Sequence, residues 1–410
     1  MTDSDSVLRT RSADSWRRGL LTAAGAYAFS RLCVIVGAAL VAAELRADEN
    51  YRVEKFPLAR WADPYYWDRA IPRQAATPML DVLTSWDGLW YLRLVRLGYP
   101  TSVRPDVTYD VADARAAFFP AYPALVRWID AVLPGGDVAA ALFLNVVLGG
   151  LAVLACGLLA RRAFGEAVAI RAMVLVALFP GSFVLSFAYA EALLIALAAA
   201  CLLALQQHRW VLAGVLAAVA TATRPNGIAL VAACVVAAAY AIRERRDYRS
   251  LAAVALAPLG FVGFQWWLGA HASERWVWFR VQSDAWNEGA SFGLTALRRT
   301  WRAFAEPLTS PTNIITAVSV MTIIVLLVMA WKVGLHPPLI AYSAAVVVLM
   351  LLPATVTARP RFVYTAFPLL IAAAAWIEQR RPAWWPHITA ACAVGLVALT
   401  TLYGVYGAIP

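Results

Sequence analysis

Long apolar runs follow one another through most of this chain, parted by short groups rich in arginine. That alternation constrains the fold more than any motif does. A bilayer's hydrocarbon core is crossed by about 20 helical residues, and only a helix or a closed barrel satisfies its own backbone there. Runs of that length or shorter recur over 19–45, 138–159, 167–178, 185–206, 211–222, 228–242, 251–268, 313–330, 338–353, 362–377 and 388–406. They predict about eleven spans of an all-α polytopic membrane protein. Composition agrees, with 62% hydrophobic and 15% charged residues, against roughly half and a quarter in soluble chains.

The net charge of +10 is carried by arginine, with Lys55 and Lys332 the only lysines. Cytoplasmic loops of membrane proteins collect such charge, so topology accounts for it and no nucleic-acid partner is expected. Arg9, Arg11, Arg17 and Arg18 place the N-terminus in the cytoplasm and, by alternation, the C-terminus outside a multi-pass cell-membrane protein. Residues 1–18 read as a cytoplasmic tail and 19–410 as one transmembrane domain. The run over 19–45 is too long for a signal-peptide core and is expected to be retained. The first extracytoplasmic loop covers 46–137, with interfacial helices, and a second large segment covers 270–311. Fusing 211–242 into one kinked helix would turn Arg243, Arg245 and Arg246 outward, so a break is expected at 223–227.

Cys33, Cys156, Cys201, Cys234 and Cys392 all lie inside apolar runs and read as small buried hydrophobes. His208, His271, His336 and His387 are scattered. No metal-ligand spacing and no Gly-rich nucleotide loop occurs, so no cofactor is expected.

Aqueous chemistry is left to the polar inserts. The first holds Asp63, Asp68, Asp81, Asp87, Asp106, Asp110 and Asp113, and a loop that long is usually functional. Within it, Ser85-Trp86-Asp87-Gly88-Leu89-Trp90-Tyr91 sets one carboxylate among aromatics. Ser85 reads as an N-cap and Gly98 as a stop, giving a short helix over 86–97 lying in the membrane interface with Arg93 and Arg96. Residues 118–133 predict a second juxtamembrane helix, closed by a turn at Pro134-Gly135-Gly136-Asp137. Trp61, Tyr65, Tyr66, Trp67, Trp276 and Trp278 read as interfacial belt residues.

A series of short motifs resembles the PIG-V family of mannosyltransferases, including its bacterial, mostly actinobacterial, members. Trp86-Asp87 with Tyr91 and Gly98-Tyr99 is similar to the family's first-loop Trp-Asp motif. Phe118-Phe119-Pro120-Ala121-Tyr122-Pro123 resembles its Phe-Phe-Pro-x-Tyr-Pro element. Phe179-Pro180 followed by Tyr189-Ala190-Glu191-Ala192-Leu193 resembles a Pro…Tyr-Ser-Glu-Ser-Leu stretch, with alanines for the serines. Thr223-Arg224-Pro225-Asn226-Gly227 is similar to a Thr-Arg-Pro-Asn-Gly loop. Gln282 with Trp286, and Arg361-Phe362 with Phe367-Pro368, resemble later elements, Phe362 standing where the family has Tyr.

The resemblance implies a GT-C fold with a catalytic acid in the first extracytoplasmic loop. It implies inverting transfer of a sugar, mannose in this family, from a polyprenyl-phosphate donor to a hydroxyl of a lipid-linked or glycan acceptor, as in glycolipid biosynthesis. An attacking hydroxyl needs a base, and the resemblance gives that role to Asp87. The alternative for Asp87 is a first-turn acid offsetting its own helix dipole. The donor phosphate needs cations, for which Arg224, Arg359 and Arg361, with Arg280, are the candidates; each could instead snorkel to the interface. Glu191 is either paired with an arginine or catalytic. Trp86, Trp90, Tyr91, Tyr122, Tyr189, Glu191, Asn226, Gln282 and Trp286 are the expected pocket. Broken helices with an intramembrane Glu191 also fit a transporter or lipid flippase, which would move a substrate and make no bond.

Overall fold

The computed structural model describes residues 3–47, 78–109, 111–405 and 408. Among the described residues the regular structure is helical, and the one β-bridge is the isolated pair Ala290 and Pro353. The expectations placed on Lys55, Trp61, Asp63, Tyr65, Tyr66, Trp67, Asp68 and Asp110 lie outside the described residues.

The first helix, α1 (Asp3–Ala47), runs back through the stretch read as a tail, because no Gly or Pro stops it there. Its segment Asp14–Glu44 is long and apolar enough to cross a membrane. Three short helices follow: α2 (Pro78–Leu83), α3 (Asp87–Leu97) and α4 (Ala121–Asp130). The bundle continues with α5 (Gly136–Phe164), α6 (Glu166–Leu178), α7 (Glu191–Gln206), α8 (Trp210–Thr221) and α9 (Ala229–Arg245). Then come α10 (Leu251–Leu256) with α11 (Leu259–His271), and the loop helices α12 (Val277–Asp284) and α13 (Leu294–Ala305). The chain closes with α14 (Pro311–Val333), α15 (Pro337–Leu351), α16 (Pro360–Thr365), α17 (Pro368–Arg380) and α18 (Trp385–Gly404). Each apolar run named from the sequence overlaps these helices, but those over 251–268 and 362–377 are split between two, and the run over 185–206 becomes α-helical only at Glu191. Among the described residues six stretches are long and apolar enough to cross a membrane, where the apolar runs predict about eleven spans: Asp14–Glu44, Gly136–Phe164, Pro225–Arg245, Tyr248–His271, Pro311–Val333 and Pro382–Gly404. The protein is an all-α polytopic membrane bundle.

The core is built around α6 and α7, which are buried on most of their surface. Helix α5 packs on both, α1 lies against α6 and α18, α17 against α6 and α14, and α9 against α15. Alanines and glycines line these contacts and let backbones approach closely. The ends of α1, α5, α6 and α17 meet through Arg161 and Glu166, Arg161 over the Trp16 ring, and Arg171 with Glu378. The start of α8 and the end of α9 join there too, through Trp210 Nε1 donating to Asp247 at 2.7 Å. Helices α8 and α9 therefore form a hairpin, and the break expected at 223–227 is its turn.

The opposite end carries the loops. The two inserts share one aromatic core, with Trp90 against Tyr109, Phe118 and Trp286. Trp278 Nε1 donates to the Ala117 carbonyl at 2.9 Å, so this tryptophan is loop core and not a belt residue. Helix α3 is likewise covered by protein, with Gly88 and residues 90–95 buried. Arg96 pairs with Asp137 and Arg93 lies over Trp90, which removes the charges that suggested an interfacial helix.

Candidate active site

Four charged side chains from sequence-distant segments converge at the loop end. Asp87 opens α3, Glu191 opens α7, Arg224 sits in the α8–α9 turn, and Arg361 lies in the first turn of α16. Asp87 Oδ2 accepts from Arg361 Nη1 at 2.7 Å and from Arg224 Nη2 at 3.3 Å. Arg224 Nη1 donates to Glu191 Oε2 at 2.7 Å, and Arg361 Nη1 stands 3.7 Å from Glu191 Oε1. Two carboxylates and two guanidiniums thus form one neutral network.

Exposure separates the two acids. The Asp87 side chain keeps 15% of its surface accessible and Glu191 keeps 1%. Glu191 is therefore sealed against Arg224, and Asp87 is the more accessible of the two acids. Burial pushes the Asp87 carboxyl up, but Arg361 and Arg224 together outweigh it and hold the group below the ordinary carboxylate range.

Local sequence explains the placement. Ser85 does not cap α3; its hydroxyl donates to the Val82 carbonyl at 2.8 Å and closes α2. Trp86 takes the junction with φ 58°, a conformation a bulky residue adopts only under constraint. Its Nε1 is tied to the Tyr403 carbonyl at 3.0 Å. Between α6 and α7, residues 179–190 cross the interior as a short 3-10 helix (Pro180–Leu185) and irregular chain, where each polar group needs a protein partner. Asn145 Nδ2 donates to the Phe187 and Tyr189 carbonyls. Arg31 Nη1 donates to the Ser182 carbonyl at 2.9 Å and Ser186 Oγ at 2.8 Å. At Gly181 a Cβ would stand 2.3 Å from the Pro360 carbonyl oxygen, so only glycine lets this segment press on the residue before Arg361. Sequence reasoning passed over Arg31 and Asn145, although a charge and an amide inside apolar runs are the signal to look for.

The other expected residues divide. Tyr91 lies beside the cluster, within the field of Arg224, Asp87 and Glu191, and burial pushes its hydroxyl up so that it stays a donor. The Tyr189 ring faces the Arg361 guanidinium at 5.8 Å. Asn226 is part-exposed in the same turn as Arg224. Trp86 and Tyr122 are buried supports, Tyr122 edge-on to Tyr91. Trp90 and Trp286 pack on each other, and Gln282 Nε2 donates to the Ala117 carbonyl at 3.4 Å; these three hold the loops together. Arg280 is not at the cluster: it forks onto Glu274 with both contacts at 2.6 Å and donates to the Val103 and Arg104 carbonyls. Arg359 is buried beside Arg361, donating to Thr316 Oγ1 at 2.6 Å. Of the rival acids, Asp113 pairs with Arg104 and Asp106 is exposed. Among the described residues no group of three or more His, Cys, Asp or Glu stands ready to hold a metal.

No family model matches this chain, and no curated protein matches it. Among solved structures it is similar to ArnT from Cupriavidus metallidurans bound to undecaprenyl phosphate, at 15% identity over 81% of this chain and 60% of that one, with a TM-score of 0.44. It is similar to the Archaeoglobus fulgidus oligosaccharyltransferase tethered with an acceptor peptide, at 16% identity over 92% of this chain and 54% of that one, TM-score 0.42. It is also similar to the archaeal oligosaccharyltransferase AglB from Archaeoglobus fulgidus in complex with an inhibitory peptide and a dolichol-phosphate, at 17% identity over 92% of this chain and 55% of that one, TM-score 0.41. The chain spans between about half and three fifths of the length of these proteins.

Proposed function

We propose that this chain is a membrane glycosyltransferase that moves a sugar, mannose, from a polyprenyl-phosphate donor to a hydroxyl of a lipid-linked or glycan acceptor, with inversion. The observation that carries the reading is the accessible Asp87 carboxylate held between Arg361 and Arg224. The ordered PIG-V-like motifs supply the reaction class, since Asp87, Glu191, Arg224 and Arg361 each belong to one of them.

The acceptor O–H gives its proton to Asp87 as its oxygen bonds to the anomeric carbon. The bond from that carbon to the phosphate oxygen breaks, and the electron pair leaves with the lipid phosphate. Arg361, whose Nε has no partner, can turn toward that phosphate. As it does, Asp87 loses part of the charge that suppresses its basicity, so donor binding readies the base. One carboxylate base and a cationic seat suffice for a single displacement, whereas retention would need a nucleophile as well.

Arg161, Arg162, Arg243, Arg245, Arg380 and Arg381 lie at the end away from Asp87. By the charge rule that end is cytoplasmic and the site faces outward, with the N-terminus in and the C-terminus out. The transporter reading rests on the broken helices with an intramembrane Glu191; the pairing of Glu191 with Arg224 fits either reading, and the Asp87 carboxylate between two arginines favours transfer. The test is incubation of purified protein with labelled polyprenyl-phosphate mannose and a membrane lipid extract, with mass analysis and anomeric assignment of what gains the label. Label in a new glycosidic bond, lost with Asp87→Asn, supports the reading; movement of unaltered substrate across a vesicle overturns it.

A further inference from the structure

A cavity of about 580 Å³ lies at the end of the bundle away from Asp87, within the usual ~300–1,000 Å³ of ligand sites. It is walled by the ends of α5, α7 and α9, the start of α8 and the turn from α14 into α15. Its floor is apolar: Leu202, Leu205, Leu335 and Leu339 line it and are buried. Its rim is polar: Arg162, His208, Glu244, Arg245 and His336 line it and are exposed. An apolar floor under a charged rim suits an amphiphile better than a bare ion.

The rim is short of negative charge. Nearby, Arg161 is matched by Glu166 and Arg171 by Glu378. Arg162 and Arg245 form no ion pair among the described residues. Arg245 Nη1 lies 3.1 Å from His208 Nε2; a guanidinium only donates, so the imidazole nitrogen accepts and steadies Arg245. Two arginines against the one glutamate leave the rim at +1. A singly charged phosphodiester with a hydroxylated headgroup matches this group by group: its phosphate takes the guanidiniums and a headgroup O–H donates to Glu244. A cationic headgroup would cancel its own phosphate and leave the rim unmatched.

The surroundings are those of a lipid. Tyr240 lines the cavity from α9 and is 46% exposed. Ile340, next to the lining Leu339, begins an exposed stripe that continues through Ala344 and Val348 down α15. Acyl chains can follow that stripe away from the head. The arginines at this end make it the cytoplasmic one, and basic pockets between spans on that side take anionic headgroups.

We infer that this cavity binds an anionic phospholipid of the cytoplasmic leaflet, a phosphodiester with a hydroxylated head, its phosphate on Arg162 and Arg245 and its head hydroxyl on Glu244. The site is separate from Asp87 and does not rest on the transferase reading.

The test is titration of photoreactive phosphatidylglycerol into phosphatidylcholine nanodiscs holding the full chain, with the cross-linked residues mapped by mass spectrometry. Labelling is expected to saturate and to fall on residues 237–241 and 335–340. Arg162→Gln and Arg245→Gln, both at exposed positions, are each expected to raise the apparent Kd about fivefold, as loss of one arginine near an anionic membrane surface does. Arg243→Gln, on the same helix end but outside the cavity lining, is expected to stay within about twofold of the parent. Phosphatidylmethanol, with the same charge and no headgroup hydroxyl, is expected to bind the parent more weakly, with the gap closing in Glu244→Ala. Labelling that spreads evenly over the cytoplasmic surface without saturating would overturn the site. So would a loss in Arg243→Gln equal to that in Arg245→Gln, which marks general surface charge. Equal affinity of the parent for the two lipids would overturn the hydroxylated head. Displacement by inorganic phosphate as readily as by phosphatidylglycerol would make the ligand a dissolved anion and overturn the lipid.

Discussion

Replacing Asp87 with Asn removes the base and one negative charge while keeping the shape of the side chain. Loss of a positioned general base costs about 10²- to 10⁴-fold in rate, or roughly 3–5 kcal/mol of barrier. The electrostatic effect runs the other way. Arg361 and Arg224 lose the anion they hold at 2.7 and 3.3 Å, and the network passes from neutral to a net charge of +1. An anionic donor then meets more positive charge, so its KM is expected to stay level or fall while kcat collapses. Stability should drop by about 1.5–3 kcal/mol, the range for hydrogen bonds to charged groups, which thermal unfolding in detergent would register. The assay is single-turnover transfer at saturating donor, with donor KM measured alongside. A kcat within about tenfold of the parent, a loss smaller than general-base removal gives, would refute the base assignment. A loss residing wholly in donor KM would make Asp87 a scaffold for the arginines.

Glu191→Gln leaves the base in place but loosens Arg224, so kcat should fall less than in Asp87→Asn, with a larger drop in melting temperature because Glu191 is sealed; equal kcat losses would mean both acids react. For pH, Asp87 has a folded pKa below its unfolded value of about 3.9, so its contribution to stability is complete above that value and is lost as pH falls through the folded pKa; unfolding temperature from pH 5 to 8 should show no step from this group. Gly181→Ala sets a methyl against the Pro360 carbonyl and should cost about 1–3 kcal/mol, with kcat falling through displaced Arg361; an unchanged melting curve refutes the packing argument. Arg280→Ala breaks a partly exposed pair with Glu274, worth at most about 1 kcal/mol, and donor KM should not move, whereas Arg361→Ala should raise it.

Much of the bundle could be read in advance because the bilayer imposes one rule on every span, and charge at the helix ends gives their direction. The hairpin at Thr223-Arg224-Pro225-Asn226-Gly227 followed from arginines alone. What periodicity could not give was which polar residues meet. Arg224 and Arg361 share Asp87 because two helix ends and a turn close on the same point, and no spacing between positions 87, 224 and 361 encodes that. Trp90, Gln282 and Trp286 read as pocket because motif residues are easily taken for ligand contacts; in the structure they join two loops beside α3. Arg280 shows the opposite limit, since an outer arginine with an acid six residues away has a local partner, and the sequence alone did not weigh it. The four clustered charges lie at helix starts and one turn because regular ends fix such positions within a bundle that has few other polar anchors; the dipoles of α3 and α7 favour Asp87 and Glu191 there, while Arg361 is held against the dipole of α16 by its carboxylate partners. A substitution that leaves these ends in register should therefore spare activity even deep in the apolar core, while one that tilts α16 or the α8–α9 turn should abolish it without touching a charged residue.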